Sequence, residues 1–188
     1  IYDVQVQVSD GYPGTPGTDT QDISVTVNDV NEPPEITSGA GLSATDVNVL
    51  ENQTAATDVD AQDEDLPAQS LTYSIIGGAD SSFFTIDAAT GALNFLTAPD
   101  YETPLDANTN NAYLAKVRVS DGALTDEQDL TVIVGNANEA PEITSDGGGS
   151  SAAVTIDENT TAVTDVDATD VDAGTVLTYS ISGGADSS

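Results

Sequence analysis

Asn136-Ala137-Asn138-Glu139-Ala140-Pro141-Glu142-Ile143-Thr144 repeats, with changes at three positions, the earlier stretch Asp29-Val30-Asn31-Glu32-Pro33-Pro34-Glu35-Ile36-Thr37. The pattern reads as a joint between repeated units. A proline with no N–H to donate closes a strand at each copy. The carboxylates and amides beside it are oxygen ligands of the kind a hard cation takes.

The rest of the chain indexes to this joint. Pro34 and Pro141 are 141 − 34 = 107 residues apart, and Glu51-Asn52 recurs as Glu158-Asn159 at 158 − 51 = 107. Leu71-Thr72-Tyr73-Ser74-Ile75 returns as Leu177-Thr178-Tyr179-Ser180-Ile181 after a one-residue deletion, and Val8-Ser9-Asp10-Gly11 matches Val119-Ser120-Asp121-Gly122. Repetition at this period divides the chain into the C-terminal part of one unit (1–34), a complete unit (35–141) and the N-terminal part of a third (142–188). The opening Ile1-Tyr2-Asp3-Val4 reads as mid-strand, so the chain is expected to be cut from a longer one, with order weakening toward both ends.

Composition narrows the function classes. Thirty-three Asp plus Glu stand against two basic residues, Lys116 and Arg118, giving a net charge of −31. Such a field repels nucleic acid and an anionic membrane surface, so no nucleic acid partner and no direct membrane contact are expected. The chain has no His and no Cys, the usual ligands of zinc, haem and iron–sulfur clusters, and oxygen-ligated calcium or magnesium remains. No run of apolar residues in the sequence approaches the length of a bilayer span, and residues 1–188 are not expected to carry a targeting signal of their own.

Inside the complete unit the apolar period is two. Tyr113, Ala115, Val117 and Val119 alternate with Leu114, Lys116, Arg118 and Ser120, and Leu130, Val132 and Val134 alternate with Thr131 and Ile133. One face is core and the other meets water. Shorter runs at 47–50, 55–61, 71–75, 83–86 and 92–95, separated by Gly, Pro, Asp and Asn, bring the total to about seven strands. The fold class expected is all-β: a seven-stranded Greek-key β-sandwich, immunoglobulin-like in architecture and repeated in tandem.

With these motifs in order, the chain resembles tandem cadherin repeats of the bacterial type. The resemblance is carried by Glu51-Asn52, Val59-Asp60-Ala61-Gln62-Asp63-Glu64-Asp65, Leu71 to Ile75, Phe84-Thr85-Ile86-Asp87 with Thr90-Gly91, Asp100-Tyr101-Glu102, Val119-Ser120-Asp121-Gly122 and the joint itself. It implies calcium at each joint, held by the preceding unit, the linker and the following unit. The second joint would take Glu51, Asp100 and Glu102, then Asn136 and Asn138, then Asp170 and Asp172. The first would take Asp29, Asn31 and Glu32 from its linker and Asp63, Asp65 and Asp121 from the complete unit. Asn136 stands where the first joint has Asp29, so it offers an amide oxygen without charge and a weaker site.

Other chemistry is poorly supplied. Gly77-Gly78 and Gly183-Gly184 read as turns, Ser120-Asp121-Gly122 lacks a base, and Asp100 with Glu102 lacks the platforms of a glycosidase. Asp60 and Asp167 read as exposed strand positions. No enzymatic role is expected. The reading is a calcium-rigidified extracellular spacer or adhesion arm of a bacterial surface or secreted protein, with calcium and neighbouring repeats as partners. The alternative is a carbohydrate-binding module, with polysaccharide or another surface protein as partner and Tyr12 and Phe83 as exposed platforms.

Overall fold

Alternation of buried and exposed side chains drives the middle of the chain into two facing sheets, seen in a computed structural model that describes residues 1–186. The strands in chain order are β1 (Tyr2–Ser9), β2 (Thr18–Val25), β3 (Glu35–Ile36), β4 (Ala44–Leu50), β5 (Ala55–Asp58), β6 (Ala61–Gln62) and β7 (Thr72–Gly77). They continue with β8 (Phe84–Ile86), β9 (Ala92–Phe95), β10 (Ala112–Ser120), β11 (Thr125–Gly135), β12 (Glu142–Ile143) and β13 (Ala168–Thr169). One sheet runs β4-β11-β10-β7 and the other β5-β9-β8. Their seven strands form the expected β-sandwich. The β4–β11 pair is parallel and its neighbours are antiparallel.

The run at 55–61 is interrupted. Val59 and Asp60 separate β5 from β6 because the Asp60 carbonyl accepts the N–H groups of Thr37 at 2.8 Å and Ser38 at 3.3 Å, drawing β3 onto β6. Asp60 is therefore exposed but lies between strands rather than within one. The third segment copies this arrangement: Asp167 accepts from Thr144 at 2.9 Å and Ser145 at 3.3 Å, and β12 pairs with β13.

Between the sheets, Val117, Val119 and Val132 are wholly buried. Tyr113 lies edge-on to Phe83, Phe84 and Phe95, with ring centroids 5.6, 6.3 and 5.2 Å away. Edge-to-face geometry of this kind adds to area burial. Phe83 is half-buried in this cluster, so the expectation that it forms an exposed sugar platform is corrected. Gln128 is the one polar side chain on the inner face of β11 that is wholly enclosed. Its Nε2 donates to the Ser38 and Leu42 carbonyls at 3.0 and 2.7 Å, and its Oε1 accepts from Ser38 Oγ. A buried amide is tolerated when so paired, and it fixes the loop before β4.

The sandwich also needs one close backbone approach. Gly91 has φ +78°, and a Cβ there would sit 2.2 Å from the Val59 carbonyl oxygen, so the β8–β9 turn tolerates only glycine.

The flanking segments hold fewer pairings. Residues 1–34 contribute the hairpin β1–β2, and the described residues of 142–186 contribute only the two-residue pair β12–β13. Replacing Tyr113 by Ala removes the centre of the ring cluster and is expected to cost about 3–5 kcal/mol. Tyr113→Phe removes only the hydroxyl that accepts the Leu105 N–H, at about 1–3 kcal/mol; urea denaturation followed by circular dichroism checks both.

Candidate metal centres at the two joints

Each joint gathers carboxylates on a frame of backbone N–H donors. At the first, the Glu32 N–H donates to Asp65 Oδ1 at 3.1 Å, the Asp65 N–H to Asp63 Oδ1 at 3.0 Å, and the Leu66 N–H to Asp29 Oδ2 at 2.9 Å. Asp121 is oriented by the N–H groups of Ala123 and Leu124, both at 2.6 Å. The second joint repeats the frame 107 residues on: the Glu139 N–H donates to Asp172 Oδ2 at 2.8 Å and the Asp172 N–H to Asp170 Oδ1 at 2.9 Å. Glu51, almost fully buried, ties loop to linker by accepting from Tyr101 N–H at 2.7 Å and Ala137 N–H at 2.8 Å.

The result is three groups of carboxylates, each with one oxygen per residue mutually within 4.8 Å: Asp29, Glu32 and Asp65; Asp63, Asp65 and Asp121; and Glu51, Glu102 and Glu139. Two unit charges at about 4 Å repel by about 4 kcal/mol at the effective dielectric of a protein surface. Among the described residues no cation relieves this. Lys116 and Arg118 are on the outer face of β10, paired with Glu127 and, for Lys116, Asp129. They hold the Glu127 carboxyl below the ordinary glutamate range.

Two carboxylate oxygens in these groups, Asp63 Oδ2 and Glu139 Oε2, are buried with no hydrogen-bond partner. A buried acceptor left unpaired is costly. Asp80 and Asp106 provide the contrast, because each is buried yet has both oxygens on backbone N–H groups: Ala107 and Leu114 for Asp80, Asn110 and Asn111 for Asp106. Buried acid alone therefore does not mark a metal. Carboxylates that converge with unpaired oxygens and no counter-charge do fit a hard, oxygen-seeking cation such as calcium, which takes six to eight such ligands.

The remaining residues read from the sequence take different places. Asn31 is inside the first joint, its Nδ2 donating to Asp121 Oδ2 at 2.8 Å. Asn136 donates to Glu102 Oε1 at 2.6 Å and Asp172 Oδ1 at 2.8 Å. Asn138 bonds the Glu139 carbonyl in its own turn. Asn136 and Asn138 line, with Tyr101, Glu102 and Asp172, an open cleft of about 480 Å³. Asp100 closes its own turn by accepting from the Thr103 N–H at 2.9 Å and is outside the three carboxylate groups.

Three contributors escape the motif reading. Glu139 is the counterpart of Glu32 at the 107-residue spacing, and that arithmetic finds it. Asn52 donates to Glu139 Oε1, and Gln69 donates to Asn31 Oδ1 and Asp65 Oδ2 at 2.8 and 2.6 Å. Gln69 belongs to no motif in the sequence.

Residues 45–135 match the family model of the Cadherin domain. Among solved structures, protocadherin gamma B2 extracellular cadherin domains 3–6 are similar with TM-score 0.61 and 24% identity, covering 92% of this chain and 44% of that one. The protocadherin gamma B7 EC3–6 cis-dimer structure is similar with TM-score 0.58 at the same identity and the same two coverages. Halomucin of Haloquadratum walsbyi is 54% identical over 37 residues, 20% of this chain and a share of halomucin that rounds to 0%. The chain thus spans under half of the protocadherin chains and a very small part of halomucin.

The electrostatics of the joints give a pH signature. A side-chain hydrogen bond with Asp65, then burial, raises the Glu32 carboxyl above the ordinary glutamate value. Burial, with the Glu51, Asp172 and Glu102 charges, raises Glu139 against a lowering bond from Asn52. A carboxyl raised in the folded state contributes stability that is present below the ordinary glutamate pKa and lost as pH rises through the raised value. Melting temperature in chelator should therefore fall as pH rises above the ordinary glutamate value. Glu32→Gln with Glu139→Gln should flatten that fall, and saturating calcium should abolish it; thermal melts across the acidic range check all three.

Proposed function

We propose that the chain is a stretch of tandem cadherin repeats, divided at 1–34, 35–141 and 142–188, that serves as a calcium-stiffened spacer or adhesion arm. It does no chemistry. Its setting is a secreted or surface protein of a bacterial cell, outside the membrane; among the described residues no helix is long and apolar enough to cross one. The observation that carries the reading is the recurrence, at two joints 107 residues apart, of linker carboxylates meeting unit carboxylates with no protein cation between them.

The residues that would hold calcium at the first joint are Asp29, Asn31, Glu32, Asp63, Asp65 and Asp121. At the second they are Glu51, Glu102, Asn136, Asn138, Glu139, Asp170 and Asp172. Calcium bound there would neutralise charge that otherwise pushes linker and units apart. The protein's own contribution is orientation: backbone N–H donors hold Asp65 and Asp172 in the same attitude at both joints. Sugar binding has little support, because Tyr12 is exposed in the β1–β2 loop without a second exposed aromatic from Phe83.

Adding calcium at a hundredfold excess over its dissociation constant should raise stability by about 2.7 kcal/mol per site, and chelator should reverse it. Thermal melts and the hydrodynamic radius, measured with calcium and then with chelator, are the test. If neither quantity moves, the reading falls.

A further inference from the structure

The two joints share a frame, and their linkers differ in charge at one position. Asp29 is a carboxylate whose Oδ2 accepts from the Leu66 N–H. Asn136, its counterpart, carries an amide. One NH2 group there donates to Glu102 Oε1 at 2.6 Å and to Asp172 Oδ1 at 2.8 Å. Glu102 precedes the joint and Asp172 follows it, so a single side chain of the linker ties together carboxylates from both sides. The two acceptors are themselves held: Asp172 Oδ2 takes the Glu139 N–H at 2.8 Å, and Glu102 faces Glu51 and Glu139 within 4.8 Å.

The first joint places a carboxylate, with no N–H to donate, at that position. Its amide donors, Asn31 and Gln69, reach Asp121 and Asp65, all within the linker and the complete unit. The Asn138 amide is turned to the Glu139 carbonyl. Hydrogen bonds from N–H to ionised carboxylates are roughly twice as strong as neutral ones, so the Asn136 contact is a strong neutral link across an acidic gap.

We propose that Asn136 stands in for the cation at the second joint: its amide N–H groups bridge Glu102 and Asp172 when no metal is bound, and the amide must turn to present Oδ1 before metal can enter. This rests on the calcium reading of the joints. An amide has no net charge and leaves the repulsion in place, so the bridge is weaker than calcium, yet it needs no calcium to form. The second joint is accordingly less dependent on calcium and binds it less tightly than the first.

Two variants of the 188-residue chain separate the possibilities. Asn136→Ala removes the bridge without adding charge; Asn136→Asp removes it and adds a ligand charge. In chelator, both should speed hydrogen exchange at the Glu139 amide by about tenfold, one tenfold step being 1.4 kcal/mol. In calorimetry with calcium chloride, Asn136→Asp should tighten binding at the second joint by about tenfold through the added charge, and Asn136→Ala should not. The Asn136 side-chain NH2 resonance of the unaltered chain should shift on adding calcium. Unchanged Glu139 exchange in both variants overturns the bridge whatever calcium does. Absence of calcium binding at either joint overturns the calcium reading instead, and the exchange arm still decides the bridge.

Discussion

Repulsion between carboxylates with no protein counter-charge is the constraint on which the joints depend. The chain spends its two cations on the outer face of one sheet, against Glu127 and Asp129. Every acid at a joint must then be managed by backbone N–H groups, by side-chain amides or by something bound. The backbone manages Asp80 and Asp106 completely. At Asp63 and Glu139 it falls short, leaving a buried oxygen without a donor in each case. That shortfall separates acids that shape loops from acids that await a ligand, and it is visible only once the hydrogen bonds are traced residue by residue.

Much of the fold was legible because it follows from period two. The alternation over 113–119 and 130–134 assigns inward and outward residues with no knowledge of the partner sheet, and Tyr113, Val117, Val119 and Val132 are buried as that pattern requires. What alternation cannot show is interruption. The break at Val59 and Asp60 comes from Thr37 and Ser38 reaching across from a distant segment. Phe83 misleads for a related reason: it lies in a short turn, where no period applies, and its ring packs on Tyr113.

The repeat supplies a comparison within one chain. Leu71 to Ile75 and Leu177 to Ile181 have the same five residues, yet only the first belongs to a strand, which pairs with β10. No described residue offers the second that ladder. Asn52 and Asn159, in contrast, both have φ values in the left-handed region, 63° and 68°, a conformation that asparagine adopts without a partner strand. The bonds from the Asp65 and Asp172 N–H groups to Asp63 and Asp170 are local and recur in both copies, which is why repeat arithmetic located most of the site. The role of Gln69 arises instead from proximity in space, and no spacing in the sequence announces it.

The parallel pairing of β4 with β11 bears on what the complete unit does when pulled. Linkers lead into the unit just before β3 and away from it just after β11, so tension enters near the start of β4 and exits at the end of β11. Parallel strands drawn from opposite ends slide along one another, and the pairs from Asp129 with Ala44 to Gly135 with Leu50 are loaded together. An antiparallel pair drawn from one end would open one bond at a time. The seam between the first and last strands of the sandwich is thus built in shear, giving the unit mechanical resistance that its equilibrium stability alone does not measure.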